Sequence, residues 1–285
     1  MATSHHVRSI SLPSTSDPLT LKVEEQLNRS KSSEVASTSS PICHNLNGLR
    51  DLYDSVDELL HLPHTLQALP CLTSKECVNE LLEESLRTID ICSTTRDVLL
   101  QLKEMVQDLQ SAVRRKRGVE LNEVIREYMV SKKKVIKRVH QCLVGEIKNM
   151  ENKHSYLDDT SMVAIVGEQT INVFKGLLCT VSQPGRQRKP SRWSLVSKLM
   201  STRRVASCDV EGAAEISEFE KVDEALSTLI TRKSPKETEA VVDAQNLQKQ
   251  LKAMNLSIQN IEEGLDRVCR STIKTRVSLL NFLNH

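Results

Sequence analysis

The chain has 285 residues, enough for one elongated domain or two small ones. It is 39% hydrophobic and 27% charged, with 2% aromatics, eight Gly and eight Pro, which suits a helical globular protein and excludes a typical β-sandwich or α/β enzyme. A net charge of +2 gives no global field for nucleic acid, so any basic partner site must be local.

Residues 1–40 are rich in Ser and Thr with few large apolar side chains. They cannot bury enough surface to offset chain entropy, which predicts a mostly disordered arm, with one short helix compatible with Leu19, Val23 and Leu27. Ser40-Pro41 opens the first firm helix: Ile42, Leu46, Leu49, Tyr53, Val56 and Leu60 recur at spacings of four and three, and Pro63 ends it. After a short turn over Thr65 to Leu69, Thr73-Ser74-Lys75-Glu76 forms a capping box for a long helix. Its seam is Val78, Leu82, Ser85, Ile89 and Cys92, continued by Leu99, Leu102, Val106, Leu109 and Val113 until Gly118 breaks it.

The next helix is predicted from about Val119 to Met150, with Leu121, Ile125, Tyr128, Val135, Val139, Cys142 and Ile147 inward, and Asn152-Lys153-His154 reads as a loop. A helix over about Ser161 to Val181 is apolar on more than one side, as a central bundle helix is. Residues 183–213 form a basic flexible linker with Pro184, Gly185 and Pro190. Helical spacing resumes at Ile216, Phe219, Val222, Leu226 and Leu229.

The C-terminal helix is the longest. Ser234-Pro235-Lys236-Glu237 caps it, and Leu247, Leu251, Met254, Ile258, Ile261, Leu265 and Val268 form one coiled-coil-like seam. A run to Leu283 spans about 49 residues, or ~73 Å. Beyond Val268 the track meets Thr272 and Thr275, while Cys269, Ile273, Val277 and Leu280 carry an apolar track displaced by about one residue. The expectation is that the buried face rotates there, with Leu265, Ile273, Val277 and Leu280 as core. The fold class is therefore all-α: an elongated bundle of long antiparallel helices with a disordered arm. Residues 41–182 form its first part, and residues 214–285 pack on that part to make one domain.

The eight cysteines include no CxxC pair and mostly occupy apolar helical positions, as small hydrophobes in a reducing compartment do. No apolar run follows Met1 and no stretch reaches membrane-spanning length, so a cytoplasmic chain is expected, with membrane association and a nuclear location left open. His61-Leu62-Pro63-His64 places two His three residues apart, and Pro63 breaks the helix that would align them on a metal. There is no HExxH, Gly-rich phosphate loop or GxSxG elbow. No catalytic, cofactor or metal residues are assigned; neither an enzyme nor a small-molecule substrate is expected.

Two basic runs, Arg114 to Arg117 and Lys132-Lys133-Lys134 with Lys137 and Arg138, read either as solvated helix faces or as an import or phosphate-binding surface. The scarcity of aromatics argues against nucleic acid. In the linker, Arg192, Trp193, Lys198, Arg203 and Arg204 can lie on an anionic membrane, with a packed lid or a phosphorylated linker as competing readings. At the N-terminus, Arg8-Ser9-Ile10-Ser11-Leu12-Pro13 fits the Arg-Ser-x-Ser-x-Pro pattern that 14-3-3 proteins bind once the second Ser is phosphorylated. Arg8, Ser9, Ser11 and Pro13 are its candidate residues.

The run Ile273-Lys274-Thr275-Arg276-Val277-Ser278-Leu279-Leu280-Asn281 resembles the ending of the plant-specific BYPASS-related family. His6 to Ser14, Leu59-Leu60-His61-Leu62-Pro63, Ser85 to Ser93, Ser111 to Arg115 and Trp193 to Leu199 look like that family in the same order. Where relatives carry an aromatic before the final Arg pair, this chain has Val268-Cys269-Arg270-Ser271. The resemblance implies a plant protein of root and shoot development and brings no ligand or catalytic residues. The leading expectation is a non-enzymatic helical scaffold acting through protein–protein contacts and phosphorylatable arms; the alternative is a peripheral membrane regulator using the linker around Trp193.

Overall fold

A computed structural model describes residues 41–61, 75–115, 118–154, 162–182, 217–231 and 237–284. These residues form helices α1 (Pro41–Leu60), α2 (Lys75–Arg115), α3 (Gly118–His154), α4 (Met162–Ser182), α5 (Glu218–Thr231) and α6 (Glu237–Leu283). No strand occurs among the described residues, and the fold is an all-α bundle. The arm, the Thr65–Leu69 turn, the linker and the Ser234-Pro235 cap lie outside the described residues.

The helix ends follow local chemistry. Gly118, expected as a break, opens α3. Ser217 caps α5: its Oγ accepts from the amide of Glu220 at 3.3 Å, and its carbonyl accepts from Lys221 at 3.0 Å. Arg114 and Arg115 occupy the last turn of α2, where cations complement the helix dipole. The helix α3 continues through Asn152, Lys153 and His154 instead of stopping at Met150. Asn and His are weak helix formers rather than breakers, and Lys is a good one. An ion pair from Glu151 to Lys175 of α4 also ties down this last turn.

At 47 residues, α6 runs about 70 Å. It packs along α1 and α2 and against α5, while α3 lies against α2, α4 and α5. Its direction relative to α2 is antiparallel: Lys103 meets Glu262 at 2.5 Å, Arg96 meets Asp266 at 3.6 Å, and Arg276 reaches back to Ser85 at 3.2 Å. Relative to α1 it is parallel: Ser271 bonds to Asp54, Thr275 to Tyr53 and Ser278 to Asp57. The seven apolar residues from Leu247 to Val268 are all buried, and side chains of all six helices join one hydrophobic cluster.

The seam does not rotate after Val268. Thr272, Thr275 and Leu279 continue the same face and are buried, while Ile273, Val277 and Leu280 are 46%, 51% and 43% exposed. This corrects the expectation that those three residues close the bundle; Leu265, at 1%, is core as expected. A threonine can occupy a seam position when its hydroxyl finds a carbonyl close by. Thr272 Oγ1 donates to the Val268 carbonyl at 2.8 Å, and Thr275 Oγ1 donates to that of Tyr53 at 2.9 Å. With those needs met, the methyl groups pack and the apolar track beside them is left outside.

Candidate contact surface

The C-terminal ends of α1 and α6 lie beside the N-terminal half of α2, and the polar residues there are interlocked. Asp57 is the centre. Its side chain is 3% exposed and takes Lys274 Nζ at 2.9 Å and the Ser278 hydroxyl at 2.6 Å. Burial alone would raise the pKa of this carboxyl. The hydrogen bonds from Ser278 and Lys274, with the Lys274 charge, outweigh burial and hold Asp57 below the usual carboxylate range. The same bond and charge push Lys274 up. His61 Nδ1 donates to the Asp57 carbonyl at 2.8 Å, one turn back along α1.

Two further links fix α2 to this corner. The Tyr53 hydroxyl shares a buried hydrogen bond of 2.8 Å with Thr88 Oγ1. Arg276 donates to the Leu82 carbonyl and to Ser85 Oγ. Because Tyr53 is fully enclosed, burial pushes its phenol well above the ordinary value, so it stays a neutral donor. These groups lock helices together.

What the corner presents outward is apolar. Ile273, Val277 and Leu280 stand at i, i+4 and i+7 on α6, one stripe of a helix, and all three are exposed. Across the α2–α6 seam, Leu86 follows Ser85, which Arg276 contacts, and is itself 46% exposed. Large apolar side chains scattered singly over a surface are ordinary; three of them on one stripe of α6 form an apolar face that water solvates poorly.

Elsewhere the described residues offer less. No group of three or more His, Cys, Asp and Glu side chains is placed to hold a metal ion. An open groove of about 250 Å³ runs between α5 and α6, with a mixed lining of Lys221, Glu224, Asp243 and Gln250 beside the apolar Ala225 and Leu229. Among the described residues Cys43, Cys92 and Cys269 are free thiols, and burial raises the pKa of Cys92 and Cys269. No described helix is long and apolar enough to cross a membrane.

Of the two basic runs, Arg114 and Arg115 are exposed at the end of α2. The second run is split: Lys132 is 4% exposed and pairs with Asp223 of α5 at 2.6 Å, whereas Lys133, Lys134, Lys137 and Arg138 face outward. Arg8, Ser9, Ser11 and Pro13, and the linker residues Arg192, Trp193, Lys198, Arg203 and Arg204, lie outside the described residues, as does His64. Sequence reasoning missed Asp57, Ser278 and Arg276. The only signal was indirect: hydroxyl residues standing where the four-three track of α6 demanded core.

A family model described as Protein BPS1 matches residues 45–282, from α1 to the end of α6. No curated protein and no solved structure matches the chain.

Proposed function

Because the chain belongs to the BYPASS-related BPS1 family of plants, whose members are developmental proteins of unassigned biochemical activity, we propose that it is a non-enzymatic helical scaffold that docks a partner protein on the exposed stripe of α6. The observation that supports this is a partial inversion within the Ile273–Asn281 run: its polar residues Thr275 and Ser278 hold helices together, and of its four apolar residues only Leu279 is buried while Ile273, Val277 and Leu280 face outward. A run selected only for bundle stability would put those types the other way round. Apolar anchors at i, i+4 and i+7 on a rigid helix suit an amphipathic helix of a partner. In this reading the protein acts in the cytoplasm, and the Ser11 arm and the basic linker are the segments through which phosphorylation or a 14-3-3 protein would regulate it.

Proximity labelling in living plant cells, with the natural chain and an Ile273→Asp/Val277→Asp/Leu280→Asp variant of equal abundance, tests the proposal. The variant is expected to lose a discrete set of labelled neighbours. An identical set from both chains would refute the docking role of the stripe.

A further inference from the structure

The outer face of α3 carries a second, chemically different surface. Leu121, Ile125, Tyr128, Lys132, Val139, Leu143 and Ile147 point into the bundle. At 100° per residue, Lys133, Lys134, Lys137 and Arg138 fall on the opposite side, and all are exposed. Arg126 and Lys148 extend the same face at either end, also exposed. Between residues 128 and 145 there is no acidic residue on α3, a stretch of ~27 Å. Glu123 and Glu127 lie toward its N-terminal end. Within the described residues, Lys133, Lys134, Lys137 and Arg138 have no ion-pair partner, whereas Lys132, inside the same run, is consumed by Asp223.

We infer that this basic ridge of α3 is a contact for an anionic lipid surface, reversible and electrostatic, separate from the apolar stripe of α6. The ridge lies opposite the buried face of its helix, so it is an outward crest that a plane of headgroups can meet. Protein–protein interface cores are depleted in Lys and built on aromatic or aliphatic anchors; the one large apolar side chain exposed along the ridge is Val130, at 52%. Nucleic acid is the weaker fit, because no aromatic platform stands among the exposed cations. A compact set of Lys and Arg is what a negatively charged leaflet attracts, each cation strengthening binding several-fold. Such binding is weak without an inserted apolar group and falls with salt.

Flotation of the full chain with vesicles tests the inference, using phosphatidylcholine alone and phosphatidylcholine with 30% phosphatidylserine, at low and physiological salt. The natural chain is expected to float with the anionic vesicles only, and less so as salt rises. A Lys133→Glu/Lys134→Glu/Lys137→Glu variant should bind at least ~tenfold more weakly, with its unfolding midpoint unchanged; Lys→Gln at the same positions should give a smaller loss in the same direction. Absence of anionic-vesicle binding by the natural chain overturns the inference. So does equal binding by the variants, which would place the contact in the linker around Trp193. Loss of binding in the presence of the Ile273→Asp/Val277→Asp/Leu280→Asp changes, with the lysines intact, also overturns it by assigning the membrane to the α6 stripe.

Discussion

Lys274 Nζ sits 2.9 Å from Asp57 Oδ2, and through that contact the last turns of α6 are fastened to the last turn of α1. The two partners differ in exposure: the lysine side chain is 64% exposed and the aspartate 3%. The pair is therefore a buried acceptor held by a solvent-exposed cation and a neighbouring hydroxyl rather than a sealed ion pair.

The pH dependence follows from the acid. Asp57 is held below its ordinary value of 3.8, so its contribution to stability is complete above that value and disappears as pH falls through the depressed one. Urea unfolding of the natural chain and of Asp57→Ala is expected to differ by about 2 kcal/mol at neutral pH, from loss of a charged hydrogen-bonding centre. The gap should narrow below pH 3.8 as the natural carboxyl protonates. A gap that stays constant down to pH 2 would show that Asp57 acts by packing alone.

Within the lysine run, neighbours should behave differently. Lys132→Ala leaves Asp223 enclosed without its cation, and breaking such a pair costs about 3 kcal/mol or more. Lys133→Ala, one residue along on the exposed ridge, is expected to change stability by less than about 0.5 kcal/mol. Replacing both partners, as Lys132→Met with Asp223→Leu, should recover most of the loss. Chemical denaturation of the four chains reads this directly; equal effects at 132 and 133 would contradict the split.

At Gly264, α6 passes close against Leu46 of α1. A Cβ placed there would stand 2.9 Å from Leu46 Cδ1 and 3.3 Å from Leu46 Cβ. The leucine tip can move but its Cβ is fixed to α1, so the helices must part slightly. Gly264→Ala improves helix propensity by up to about 1 kcal/mol, and overpacking opposes this by about 1–3 kcal/mol. A net loss of about 1 kcal/mol in unfolding free energy is expected. In contrast, Gly145→Ala, with no atom within 4 Å of the added methyl, should be neutral or stabilising.

The helices were legible because the seam is written in large apolar side chains. From Leu247 to Val268 the spacing alone predicts burial, and each residue is buried. Spacing misleads where polarity of type and polarity of environment part company. Thr272 and Thr275 look like an interruption, yet carbonyls satisfy their hydroxyls, so the face continues through them to Leu279. Lys132 reads as one of three equivalent lysines until Asp223 is seen beside it. The bond of Ser278 to Asp57 joins residues 221 apart, and a single sequence carries no trace of that pairing. The apolar residues of the candidate surface are thus legible from their spacing, and the side of the helix they occupy is not.

That assignment is the most direct point of test. Equilibrium urea unfolding of Ile273→Asp, beside Val268→Asp as the core control, separates the two sides of α6. Ile273→Asp is expected to stay soluble, with an unfolding free energy within about 0.5 kcal/mol of the natural chain, as at an exposed site; Val268→Asp, which buries an unpartnered charge, should lose several kcal/mol or fail to fold. If Ile273→Asp aggregates or loses stability on the scale of the Val268 variant, the stripe is core and the contact surface proposed for α6 does not exist.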